Sequence, residues 1–261
     1  MTGPAQLLPE PSVEAGTGWF VYGVTRASQA VPADLTGVDD QPVRLLRHGP
    51  IAAVVSSALL DRPPGRRAEI LAYTTVLDAL AVPGPVAPVR FGSIFADSDD
   101  VVSQLLAPEE ATLDALLGDL TDRVELRLVA LWHEGTALRE VIESDPEVAR
   151  LRAATRELPE DDAYPERLAL GQLVAARLDE LRAEAAAAVL DAVRPHCVVL
   201  TEIPGSGVER VFEAHLLVDV KKWPDLEVLL EALADEVHER MRLQLIGPTA
   251  PYDFVGGARW D

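Results

Sequence analysis

The chain has 261 residues, and its 43 acidic against 23 basic side chains give a net charge of −20 at pH 7. Such a surface repels a phosphate backbone, and the densest basic clusters are only Arg62-Arg66-Arg67 and Lys221-Lys222, so no nucleic acid is expected as a partner. Hydrophobic residues make up 48%, which suits a folded globular chain long enough for one large domain or two smaller ones.

In chain order, residues 1–17 contain Gly3, Pro4, Pro9, Pro11 and Gly16 without a periodic apolar pattern, and read as a flexible tail. Trp19 to Val24 is aromatic and β-branched, a buried strand. Val43–Arg47 and Ile51–Ser57 read as strands around the turn His48-Gly49-Pro50. Arg66 to Ala81 repeats apolar residues at helical spacing, and Val86 to Phe95 reads as one strand. Asp97 or Ser98 caps a helix running through Leu106, and Pro108 opens another to about Leu120. Arg123 to Val129 alternates strictly, as a half-exposed strand does.

Glu134 to Glu157 reads as one charged helix, followed by a break over Pro159–Pro165 and a long helix from about Glu166 to Val193. Cys197–Ile203 and Val211–Val220 form a hairpin across Pro204-Gly205-Ser206-Gly207. Pro224 opens a helix to about Glu239, and Arg242–Ile246 is a last strand stopped by Gly247-Pro248. From Arg123 the order is that of a βαββαβ, ferredoxin-like sheet, and the first half is a looser version of it. The expected class is α+β in two domains, 18–122 and 123–261, with the long helices and the terminal strap in the second.

Chemistry is sparse. The single cysteine, Cys197, leaves no internal disulfide and no multi-cysteine metal site, and reads as an inert buried thiol. His48, His133, His196, His215 and His238 share no metal-binding spacing. Asp97-Ser98-Asp99-Asp100 lacks the glycine and glutamate of a calcium loop, and Gly205-Ser206-Gly207 precedes a strand, not a helix. No nucleophile elbow or phosphate loop occurs, so no catalytic, cofactor-binding or metal residue is expected and the chain reads as no enzyme. Residues 1–18 lack the basic start and apolar core of a secretory signal, and no apolar run approaches the roughly 20 residues of a membrane helix. A soluble, cytoplasmic protein without a membrane partner is expected.

Three segments stand out. Pro88-Val89-Arg90-Phe91-Gly92-Ser93-Ile94-Phe95 sets an arginine inside an apolar strand, either as a structural clasp on carboxylates or carbonyls or as a surface anchor. Gly247-Pro248 through Pro251-Tyr252-Asp253-Phe254 is a proline-stiffened end with two aromatics, either a strap over a sheet edge or a partner contact. The third is the aromatic strand ending Tyr22-Gly23-Val24, which is more simply core.

Together, and in chain order, the three resemble the gas vesicle protein family GvpL/GvpF over roughly residues 18–255. The aromatic strand ending Tyr22-Gly23-Val24 is similar to the family's opening aromatic strand, Pro88–Phe95 to its arginine-phenylalanine-glycine strand, and Gly247-Pro248 through Phe254 to its terminal glycine-proline segment. Thr249-Ala250 stands where the family commonly has Trp-Pro, Tyr73 where many members have histidine, and Tyr164-Pro165 where Tyr-Leu is frequent. The resemblance implies a non-enzymatic accessory protein of gas vesicle formation, without cofactor, working with the small hydrophobic shell protein and other accessory proteins, as chaperone or minor structural component. Arg90, Phe91, Gly92, Gly247, Pro248, Pro251, Tyr252 and Phe254 are the candidate contact or structural residues. The alternative is an unrelated tandem ferredoxin-like protein that binds a small molecule, or an enzyme whose residues escape the sequence.

Overall fold

The computed structural model describes residues 16–60, 65–157 and 164–255. The expected tail therefore lies outside the described residues save its last two, and Thr17 already belongs to the first strand. Most of the expected break at 159–165 lies outside them as well. Contacts divide the chain into two units: the described residues up to Thr121 with residues 250–255, and Asp122–Thr249. The end of the terminal strap, residues 250–255, thus falls in the first unit, while residues 247–249 stay in the second.

The first unit is built on strands β1 (Thr17–Arg26), β2 (Arg44–His48), β3 (Ile51–Leu59), β4 (Val86–Pro88) and β5 (Ile94–Phe95). They run β2-β3-β1-β4, all neighbours antiparallel, with β5 also on β1. That is the order a βαββαβ chain adopts, with a loop and a 3-10 turn at Val38–Asp40 where its first helix would stand. Helix α1 (Arg67–Ala81) packs on one face of β1. Glu69 caps its start, its carboxylate accepting the Gly65 and Arg66 N–H groups at 2.7 and 2.9 Å. Helix α3 (Glu110–Asp119) also packs on β1, β3 and β4. Covered twice, β1 is buried continuously from Gly18 to Thr25.

One expected strand is two. Between β4 and β5 the chain leaves the sheet, beside a bulge at Tyr22 of β1 that breaks the register with β3 between Val21 and Gly23. The bulge turns Tyr22 and Gly23 together toward α1. A Cβ on Gly23 would lie 2.7 Å from the Ala87 carbonyl and 2.9 Å from Leu77, so only glycine fits there. After β5, Asp97 caps helix α2 (Ser98–Val101) by accepting the Asp100 N–H at 2.8 Å, and a π-helical turn follows at Val102–Leu106. α3 begins at Glu110, not at Pro108.

The second unit holds β6 (Arg123–Trp132), β7 (Val199–Pro204), β8 (Arg210–Asp219) and β9 (Met241–Thr249), antiparallel in the order β7-β8-β6-β9. Its core joins Leu126, Leu128, Phe212, Ala214 and Leu216 to Val189 and Leu190 of α6 (Tyr164–Val193) and Leu226 of α7 (Trp223–Val237). The expected helix over 134–157 is two, α4 (Thr136–Ser144) and α5 (Pro146–Glu157). Asp145 separates them: its Oδ1 accepts the N–H groups of Glu147 and Val148 at 2.7 and 3.0 Å, with Pro146 as the first helical residue. β9 passes through Gly247-Pro248 instead of stopping there. A register shift opposite Glu125 to Arg127 absorbs the Gly247 conformation, φ +134°. β6 is less exposed than strict alternation implies, since Glu125 is buried with the apolar residues around it.

Candidate functional site

The segment Pro88–Phe95 is anchored at both flanks and looped out in the middle. The Val89 N–H donates to the Tyr22 carbonyl and the Val21 N–H donates to the Ser93 carbonyl, each at 2.9 Å. Residues 90–93 make a turn, with the Ser93 N–H and Oγ both donating to the Arg90 carbonyl, at 3.2 and 2.8 Å. Gly92 sits at φ +90°, the left-handed conformation that the third position of a type II turn requires.

Arg90 is therefore exposed, and its guanidinium makes no hydrogen bond or ion pair with any described residue. The structural clasp is overturned: the side chain never enters the apolar interior, so it has no buried charge to neutralise. Phe91 instead turns inward. Its ring meets Tyr73 edge-on at 5.3 Å and Phe20 at 5.8 Å. Tyr73 continues the cluster to Tyr22 at 6.1 Å and to Tyr252 at 6.3 Å.

Two tyrosine hydroxyls fasten this cluster to the backbone. Tyr73 donates to the Val89 carbonyl, the residue just before Arg90. Burial pushes the Tyr73 hydroxyl well above its ordinary range, which keeps it a donor. The Tyr22 hydroxyl accepts the Val38 N–H at 2.7 Å and shares a proton with Ser56 Oγ at 2.7 Å. Burial raises it too, against the lowering effect of those two partners.

The strap reaches the same cluster. Ala250 is fully buried, and its N–H donates to Asp78 Oδ1 on α1 at 2.8 Å. Desolvation raises the Asp78 carboxyl above the usual carboxylate range, partly offset by that N–H. Pro251 is buried, while Tyr252 and Phe254 are half-buried. The three segments singled out in the sequence, Trp19–Val24, Pro88–Phe95 and the end of the strap, are thus gathered around Tyr73. Gly247 and Pro248 are not among them: they form the β9 irregularity of the second unit.

Sequence reasoning missed a polar cluster on the second sheet. His215 of β8 pairs through Nδ1 with Glu125 Oε1 of β6 at 2.9 Å, both nearly buried, and its Nε2 lies 3.7 Å from Glu213. Glu213 is shared with Arg127 and Arg210 at 3.4 and 3.1 Å. The alternation of Glu125 and Arg127 along β6, and of Glu213 and His215 along β8, was the available signal. It needed the pairing of Arg127 with His215 to become a cluster. His133 lies elsewhere, its ring bonded to the His238 carbonyl at 2.7 Å. Burial raises the Cys197 thiol to about 11, leaving it a poor nucleophile.

A cleft of about 590 Å³ opens beside Thr17, Asp39, Gln41, Ser57 and Arg66 of the first unit, and among the described residues no histidine lines it. Among the described residues no helix is long and apolar enough to cross a membrane.

The family model described as gas vesicle synthesis protein GvpL/GvpF matches residues 18–256. Gas vesicle protein F of Streptomyces sp. (strain CB03234) is 34% identical over 239 residues, covering 90% of this chain and 98% of its own length. Gas vesicle protein L of the same organism is 29% identical over 259 residues, covering 93% and 94%. Among solved structures, the crystal structure of GvpF from Anabaena sp. PCC7120 superposes with a TM-score of 0.81 at 22% identity, over 92% of this chain and 98% of that one. GvpF from Microcystis aeruginosa gives 0.76 at 22% identity, over 91% and 98%.

Proposed function

The chain belongs to the GvpL/GvpF family of gas vesicle synthesis proteins, and from that premise we propose that it acts in vesicle assembly by binding the small hydrophobic shell protein. It does so without enzymatic chemistry or cofactor, in the cytoplasm and at the growing vesicle, as a chaperone or minor structural component beside other gas vesicle proteins.

The observation that carries this reading is the joining of family membership to the aromatic cluster around Tyr73, where the three family-like segments meet. A shell subunit is strongly apolar and aggregates before assembly. An acidic, charged-surfaced partner lowers that tendency by keeping the complex dissolved, while half-buried rings such as Phe91 and Tyr252 supply apolar contact. Both sheets also end in edge strands, β2 and β4 in the first and β7 and β9 in the second, which suit pairing with an extended client segment.

The test is co-expression of the tagged chain with the shell protein, followed by affinity capture at low and at physiological salt. Stoichiometric retention of the shell protein is expected at both. No retention at either salt contradicts the proposal.

A further inference from the structure

We propose that the 90–93 turn is a preformed contact loop, on which Arg90 takes a carboxylate of the apolar client while Phe91 backs the contact; this rests on the shell-binding reading above. The Arg90 side chain serves no described residue, so folding does not account for a guanidinium in the middle of an otherwise apolar octapeptide. Its position is nonetheless tightly determined. Val89 and Ser93 are bonded to β1 on either side, Tyr73 bonds the Val89 carbonyl, Ser93 closes the turn twice on the Arg90 carbonyl, and Phe91 is locked among Phe20 and Tyr73.

A charged side chain on such a backbone loses little besides its own rotamer freedom when it binds, which is the condition under which a single contact contributes most. The chemistry selects the occupant. A guanidinium presents a planar fork that matches a carboxylate through two parallel hydrogen bonds. On a chain of net charge −20, a client carboxylate is repelled in general and is accepted beside a cation held in place by its backbone.

The test uses the full-length chain and three variants, Arg90→Ala, Arg90→Lys and Arg90→Glu, captured with co-expressed shell protein between low and high salt, with circular dichroism melts run in parallel. All four proteins are expected to melt within a few degrees of one another, as exposed substitutions do. Retention falls at least about tenfold for Arg90→Ala, less for Arg90→Lys, and most for Arg90→Glu, and the wild-type complex weakens as salt rises. If the wild type retains the shell protein and Arg90→Glu retains it equally, the contact loop is overturned while shell binding stands. If Arg90→Ala melts far below the wild type, the residue is structural and the proposal is again overturned. A wild type that retains nothing removes the shell-binding reading and this one with it.

Discussion

Asp78 is a carboxyl group that helix α1 carries into a place where charge is poorly tolerated, because the strap must be met there by a hydrogen-bond acceptor. Desolvation raises its pKa above the ordinary 3.8, so the folded state favours the protonated form. Its contribution to stability is therefore complete below about pH 3.8 and is lost as pH rises through the raised folded value. Asparagine keeps an acceptor for the Ala250 N–H and abolishes the charge. Asp78→Asn is expected to melt above the wild type at pH 7, with the gap closing toward pH 3.5. A lower melting temperature for the variant at pH 7 would show that the ionised carboxylate is what holds the strap. At this scale Phe91, Tyr73 and Tyr252 were visible in the sequence as aromatics, and their meeting was not. It depends on Tyr22 occupying a bulge, and on the strap landing on α1, 172 residues away from Asp78. No local periodicity encodes either.

Among the elements, those defined by strong local chemistry were legible. β1 follows from its aromatic run, and α1 from its apolar repeat, found at Arg67–Ala81 against the 66–81 expected. What escaped were interruptions only a residue or two long. The strand expected over 86–95 kept the right ends but lost its middle, since two residues of β1 face five of the edge strand. The helix expected over 134–157 ran through Asp145-Pro146, a cap-and-proline pair that apolar spacing alone passes over. Asp145 also reaches Arg177 of α6 at 2.6 Å, so one carboxylate starts α5 and ties it to its neighbour. The Val148 N–H first, then Arg177, hold this carboxyl below the ordinary 3.8. Its stabilisation is present above about pH 3.8 and disappears as pH falls through the lowered folded value. Asp145→Ala is expected to speed hydrogen exchange at the Glu147 and Val148 amides and to leave the buried end of α6, at Val189 to Val193, unchanged. Equal exchange rates at both amides in variant and wild type would mean the cap does not start the helix.

Across the whole molecule the dominant quantity is the net charge of −20. It argued against nucleic acid from the outset, but could not by itself point to a gas vesicle; the three motif segments did, and the family model now spans residues 18–256. A strongly acidic chain of two α+β units suits a role in which an insoluble client must be kept dispersed until it is assembled. The most direct test is sedimentation of freshly released shell protein with and without an equimolar amount of the purified chain. The account predicts that the shell protein stays in the supernatant, as a complex with the chain, and pellets when the chain is omitted. Shell protein that pellets equally in both tubes, leaving the chain behind in solution, would contradict it.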